Sequence, residues 1–514
     1  MRTHSWPSRG AVWLLAAIAG QASAFQTFTV TRFDDPPPNG CLAGDCSLRE
    51  AVLAANALAG FDAVVLATGT YSVTSTLLVS GPLRISGTGP GSTRILATSP
   101  LNPLLRIDDS TPSTLTMQQL SIDGAGGTEV FGIAGSQLVL EFVSAPNPDG
   151  RLDIVGSGGV VNVFDSDLAA FAGFAGARYV AIEDSRFRRL QIAQSNAAPN
   201  PSTYLRRVVI DGIDRSAGNL RIASVGEVGL FDVTVQNTRF GLVVDEHVPE
   251  ELTIDGLRFL DNGAPLHIAA GAEVAIRHSE FRGNRPLLAN RPGALWVADA
   301  NASVAVLEST FAGNTGTSDT GGAVLVENGA SLWLRNSTFA NNSFTVEAAS
   351  AGARGAAVGY RSHVADTMLT MQNVTLFAPQ FMPTGAQGST LGGRGAGTGV
   401  TLNLYSNIFD GSCHSDGAAP DFAIGNIKTS GDNCGLGGGN LLGVSRAAIA
   451  LGPLADNGGP TQTMVPATGS VAIDGGNDFG CASIDQRGYV RPSGLRCDAG
   501  AVETGDLIFA NGFD

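Results

Sequence analysis

The sequence predicts an all-β chain wound as a right-handed parallel β-helix, a solenoid, with an N-terminal helical cap and a C-terminal loop-rich module. Three observations carry this. First, a short phrase recurs at Leu252–Phe259, Val274–Phe281, Val304–Phe311 and Leu332–Phe339. Second, its columns keep their chemistry. Aligned on the Phe, the residue five before is Ile254, Ile276, Val306 or Leu334, and the residue two before is Leu257, Ser279, Ser309 or Ser337. Third, the residue three after the Phe is always Asn: Asn262, Asn284, Asn314 and Asn342. An Asn column at this period means that successive turns stack directly, so side-chain amides can bond from turn to turn. Self-similarity at such a spacing marks a solenoid.

The first element is a secretory leader over residues 1–24. Arg2 and Arg9 are its basic end, Ala11 to Ala19 is too short an apolar run to span a bilayer, and Ala22-Ser23-Ala24 is a cleavage site before Phe25. No other apolar run is long enough for a membrane helix. The mature chain is therefore expected outside the cell or on its outer surface. Residues 25–75 follow as a cap and first coil. Ser47 with Glu50 three residues on spells a capping box; Leu48, Val52 and Ala55 share one helical face, and Gly60 is expected to stop the helix. Such a helix would cover the open edge of the first coil, which would otherwise pair with other chains.

Residues 76–412 are expected to be the repeats. The clear copies are spaced by 22, 30 and 28 residues, and weaker ones run from Met117–Ile122 to Leu404–Phe409, placing the helix from about Val64 to about Phe409. Each copy is a β-branched, apolar run with period two followed by Gly, Asn or Asp, which reads as strand and turn. Two or three strands per 22–30 residues fit a β-helix coil, and parallel crossovers wind right-handed. A β-propeller would need four strands in about 40 to 50 residues; the Asn column at a single-turn period opposes it. The variable spacing puts loops of different length at one corner, where function would lie.

The six cysteines stand in neighbouring pairs at the two ends, Cys41 and Cys46, Cys413 and Cys434, Cys481 and Cys497, with none in the repeats. After a leader, disulfides are the natural reading, and a solenoid keeps sequence neighbours close. A metal site lacks a CxxC pair, and His414 is the only histidine nearby. The formal charge is −15, from 31 Lys plus Arg against 46 Asp plus Glu, which disfavours nucleic acid as a partner. Lys428 is the sole lysine. No cofactor is expected. Calcium on acidic loops is the one candidate ion, set against plain solvated Asp.

Cys46-Ser47-Leu48-Arg49-Glu50-Ala51, with Phe28-Thr29-Val30-Thr31 before it and Asp62-Ala63-Val64-Val65-Leu66 after it, resembles the CSLREA domain at the start of secreted bacterial β-helix proteins. Residues 413–503 contain Pro453-Leu454-Ala455-Asp456-Asn457-Gly458-Gly459-Pro460, Asp474-Gly475-Gly476, Asp485-Gln486-Arg487-Gly488 and Asp498-Ala499-Gly500-Ala501-Val502-Glu503. They resemble the choice-of-anchor Q domain that ends many bacterial surface proteins. Met464 departs from that pattern, which has His there, and the Cys481 and Cys497 pair is additional. Residues 504–514, Asp506 to Asp514 above all, resemble a C-terminal sorting tail. The repeats between are similar to the pectate-lyase-like superfold. These resemblances imply surface display.

Many β-helix proteins of that kind are polysaccharide lyases or hydrolases, whose chemistry needs clustered carboxylates with a base or an acid partner. In the clear copies the column four before the Phe is Asp255, Arg277, Leu307, Arg335 and the column three before is Gly256, His278, Glu308, Asn336, so neither stacks carboxylates in adjacent turns. The acidic candidates are Asp165, Glu183, Asp184, Asp245 and Glu246, with Arg277 and His278 one coil on; the ordinary reading of each is a solvated turn. The sequence thus favours a non-catalytic, glycan-binding or surface-binding β-helix over a carbohydrate-active enzyme on the same scaffold.

Overall fold

The computed structural model describes residues 25–505 apart from 99–103, 108–112, 125–127, 134, 148–150, 157, 195–200, 224–225, 246–251, 270, 299, 363–365, 395–398, 415–418 and 430–433. The expected leader, including Ala24, and the tail from Asp506 lie outside these residues.

Three strands close each coil. Leu252–Asp255, Arg258–Leu260 and Leu266–Ile268 make one; Glu273–Arg277, Glu280–Arg282 and Leu295–Val297 make the next. Each strand pairs in parallel with its counterpart one coil on. Ile254 opposes Ile276, which opposes Val306 and then Leu334; Phe259, Phe281, Phe311 and Phe339 oppose one another likewise. The repeated phrase is therefore two strands and the corner between them. Nearly all strands join one continuous sheet, and the fold is a right-handed parallel β-helix. Because alternate side chains point to opposite faces, Ile, Val, Leu and Phe from every coil meet inside.

The Phe column is a buried stack. Ring centroids lie 5.7 Å apart from Phe259 to Phe281 and 4.5 Å apart in the next two steps to Phe311 and Phe339. In register the column continues through Leu376 and Phe409 to Lys428. The only lysine thus stands in the column one coil before Leu442, 1% exposed. A charge there needs acceptors, and its ammonium donates to the carbonyls of Gly411 and Thr429 at 2.5 and 2.9 Å.

The Asn column is an amide ladder. Asn262 Nδ2 donates to Asn284 Oδ1 at 3.0 Å, Asn284 to Asn314 at 2.8 Å and Asn314 to Asn342 at 3.0 Å. Each of these oxygens also accepts the backbone N–H of the preceding Asn, and each second amide hydrogen goes to a carbonyl, so no polar group is left over. Two residues before the Phe, the hydroxyls of Ser279, Ser309 and Ser337 accept the backbone N–H of the previous coil. At that same position near the C-terminal end stand Asn407, Asn426 and Asn440, a second amide ladder with 2.9 and 2.8 Å steps. The repeat register did not foretell it, because only Phe409 marks those coils.

The helix outruns the repeats at both ends. Parallel pairing begins where Thr27–Val30 meets Asp62–Leu66 and ends where Ile427–Thr429 meets Leu441–Val444. The end coils lack the Phe and Asn marks that locate the others. The N-terminal helix is Leu48–Asn56, with the reciprocal capping box of Ser47 and Glu50 in place and Leu48, Ala51, Val52 and Ala55 buried. It stops at Asn56 under an Ala57 cap, ahead of Gly60, which takes its φ of 117° in the following turn. The three disulfides join sequence neighbours: Cys41 to Cys46, Cys413 to Cys434 and Cys481 to Cys497. Among the described residues no helix is long and apolar enough to cross a membrane. The three disulfides are consistent with an extracellular protein.

Candidate functional site

The corner three residues before the Phe organises the surface. Asp165, Asp184, Arg207, Asp232, Gly256, His278, Glu308, Asn336, Asn373 and Ser406 hold it in successive coils, all at φ between 46° and 74°. A tight turn between two strands demands this left-handed backbone. Gly, Asp and Asn adopt it readily, whereas it costs an ordinary side chain about 1–2 kcal/mol. Arg207, His278, Glu308 and Ser406 hold it nonetheless, as do Gln119 and Phe142 in the two coils before Asp165. The column places one side chain per coil along one edge, at about 4.8 Å per step.

Two charged clusters result. In the upstream one, Asp165, Asp167, Asp184, Arg186 and Arg207 line an open cavity of about 430 Å3. Arg207 reaches back one coil to grip Asp184, Nε to Oδ1 at 2.6 Å and Nη2 to Oδ2 at 2.8 Å, and also meets Glu183. Arg186 pairs with Asp211 at 2.9 Å. Adjacent coils therefore do stack carboxylates here, Asp165 above Asp184, which corrects the reading from the clear copies alone. Glu183 is also corrected: it is not a solvated turn but buried at 4% exposure, between Arg206 and Arg207.

The second cluster lies at the coils of Phe259 and Phe281. His278 Nδ1 and Asp255 Oδ1 are 2.7 Å apart. That hydrogen bond, and the charge of Asp255, hold the His278 pKa above its ordinary value against the opposing pull of burial. Glu280 lies between Arg258 and Arg282 of its own and the preceding coil. Arg277 projects beside them, and among the described residues it has no ion-pair partner.

The other candidates separate. Asp245 follows the strand Leu242–Val244 at a different corner, where Arg221 Nε meets it at 2.6 Å, so it does not join His278. Glu246 lies outside the described residues. Among the described residues no group of three or more His, Cys, Asp or Glu is placed to hold a metal ion.

Sequence reasoning missed Arg207, Asp211 and the copy that carries them. Leu205 to Ile210 is the drifted repeat between Phe187 and Val235, since Ile210 pairs with both. The signal was the doubled spacing between those two.

Sequence reasoning also missed what covers the downstream half of this edge. The C-terminal module folds back along it. Gly500 N donates to Ser406 O at 2.7 Å, Ala482 N to Asn373 Oδ1 at 3.2 Å and Asn336 Nδ2 to Ile484 O at 2.6 Å. Thr338 Oγ1 donates to Gln486 Oε1 at 2.6 Å, and Gln486 Nε2 donates to Thr310 Oγ1 at 2.9 Å. Thr310 Oγ1 donates to Gln462 O at 2.6 Å, and Arg282 Nη2 meets Gln462 Oε1 at 3.2 Å. Among the described residues, the module's contacts stop here, and the charged half upstream of Gln462 is not met by it.

No family model matches the chain, and no curated protein matches it. Solved structures with distant likeness are all of other proteins. The A-module of the Azotobacter vinelandii mannuronan C-5 epimerase AlgE6 aligns at 14% identity over 78% of this chain and 95% of its own, with a TM-score of 0.37. The catalytic unit of the GH87 α-1,3-glucanase from Streptomyces thermodiastaticus strain HF3-3 aligns at 14% over 79% and 71%, with a TM-score of 0.42. Bacteriophage CBA120 tailspike protein 3 aligns at 11% over 76% and 61%, with a TM-score of 0.39. At these values they carry no argument about what this chain does.

Proposed function

We propose that this protein is an exported, non-catalytic β-helix that binds glycans along the charged half of the corner, from Asp165 to His278, at the cell surface. The supporting observation is how its charges are spent. Asp184, Asp211, Asp255 and Glu280 are each tied to an Arg or His of a neighbouring coil. A glycosidase needs an acid and a base or nucleophile roughly 5 to 9 Å apart and free to act. Carboxylates locked to guanidinium groups offer oriented hydrogen-bond partners for hydroxyls instead. The resemblance of the two end modules to CSLREA and choice-of-anchor Q domains supports export and surface display, as do the bridged cysteines.

One observation favours the alternative, an enzyme acting on polysaccharide. Asp165, Asp167 and Asp184 share a single cavity with two arginines. A panel of acidic and neutral polysaccharides, read for binding and for release of new chain ends together, separates the readings. Binding without cleavage is expected. Turnover abolished by Asp165→Asn or Asp184→Asn would replace the binding reading with the enzymatic one.

A further inference from the structure

The polar corner changes chemistry where the C-terminal module begins. In the open coils it is mostly charged: Asp165, Asp184, Arg207, Asp232 and His278, with Gly256 the neutral member, and with Asp167, Arg186, Arg258 and Glu280 on the strand beside it, where Val209 and Thr234 are uncharged. In the covered coils it is Asn336, Asn373 and Ser406, with Thr310, Thr338 and Thr375 beside them, all buried. Each of these neutral groups meets the module: Thr375 Oγ1 accepts Ala501 N at 2.9 Å, Asn373 Nδ2 donates to Asp498 O at 3.3 Å, and the rest bond as given above. Burying an unpaired charge is costly, whereas a hydroxyl or amide can be satisfied by backbone. The body therefore carries, in its own sequence, a footprint shaped for the module. Glu308, at the boundary, is the exception. It is 3% exposed and kept company by Arg335 at 3.7 Å and Asn336 at 3.4 Å.

The module's front is stiff. Asp485, fully buried, accepts the backbone N–H groups of Arg487, Tyr489 and Glu503 at 2.8 to 3.0 Å. Arg491 and Glu503 form a fully buried pair at 2.8 Å, and the Cys481 to Cys497 bridge closes the loop between. Tyr489, with the Arg487 guanidinium over its ring, stands 55% exposed on this front.

We propose that the C-terminal module is a fixed end wall, so that the corner accepts the end of a glycan chain and not the interior of a long polymer. This rests on the glycan-binding reading above. Five coil-to-coil steps separate Asp165 from His278, about 24 Å of open corner, enough for a short oligosaccharide. A chain lying along the column meets Gln462 and the module at the coil after His278 and cannot run on. The last open coil supplies Arg277, His278 and Arg282 to the terminal unit.

The test uses the full mature chain with oligogalacturonate and cello-oligosaccharide ladders, their parent polymers, and the same polymers with bulky groups coupled to each end in turn. Expected is an affinity per chain end that does not rise with polymer length and falls at least tenfold when one particular end is blocked. Gln462→Trp, which thickens the wall at a partly exposed position, should weaken oligosaccharide binding about tenfold at unchanged Tm. Binding that scales with polymer mass and ignores blocked ends would sink the wall while leaving the glycan-binding reading standing. No binding of either series by the native chain would remove both.

Discussion

Phe311→Ala tests the register on which the rest depends. Phe311 has no exposed surface and lies between Phe281 and Phe339, with both centroids at 4.5 Å and the rings within 2° of parallel. Truncation removes a buried aromatic and leaves a void that a stacked coil cannot collapse, because amide and serine ladders hold its neighbours on either side. Core Phe→Ala changes cost about 3–5 kcal/mol, and two ring contacts of about 0.5–1.5 kcal/mol each place this one at the upper end. Phe259→Ala should cost less, since Phe259 meets an aromatic on only one side, tilted and at 5.7 Å. Phe381→Ala, at 82% exposure, should stay within about 0.5 kcal/mol. Urea titration of the purified mature chain, followed by circular dichroism, reads all three. A Phe311→Ala cost no larger than that of Phe381→Ala would refute the inward stack. A Phe259→Ala cost exceeding that of Phe311→Ala would refute the argument from two-sided packing.

Asn314→Leu should be more damaging than its similar volume suggests, at about 1–3 kcal/mol for each donor or acceptor left bare on Asn284 and Phe281; a change under about 1 kcal/mol would mean the ladder is ornamental. Lys428→Met keeps the volume but takes away the donor that the buried carbonyls of Gly411 and Thr429 accept from, so thermal melting should show lower stability, and an amine-reactive label should miss Lys428 in the native chain and reach it in urea. His278 titrates above its ordinary value because Asp255 accepts from it. A raised folded pKa means that the extra stabilisation is complete below the unfolded value, near 6.5, and is lost as pH rises through the folded one. NMR titration should show that raised value fall in Asp255→Asn; an unmoved His278 would show that the contact is not what holds it.

Period and columns made the coil legible in advance. Inward Ile, Val and Phe recur because a stacked strand repeats its environment every turn, and the Asn column betrays direct stacking because a side-chain amide donates to one coil and accepts from the next. The capping box at Ser47 was legible for the same local reason. The limits of the helix were not. The coil at Thr27 is ordered by pairing with its neighbour, and the coil at Leu441 by pairing and by Asn440 alone, too little to mark it in the sequence. The second amide ladder is another such case, since Asn407, Asn426 and Asn440 replace serines in a column that only register identifies. The charged corner needed the structure most. Arg207 and Asp184 stand 23 residues apart, Gln486 and Thr310 176 apart, and coil stacking or chain fold-back alone brings them together. A sequence records what each position must be within its own turn; which turns become neighbours, and which face the returning chain covers, is decided by packing over distances that no local pattern encodes.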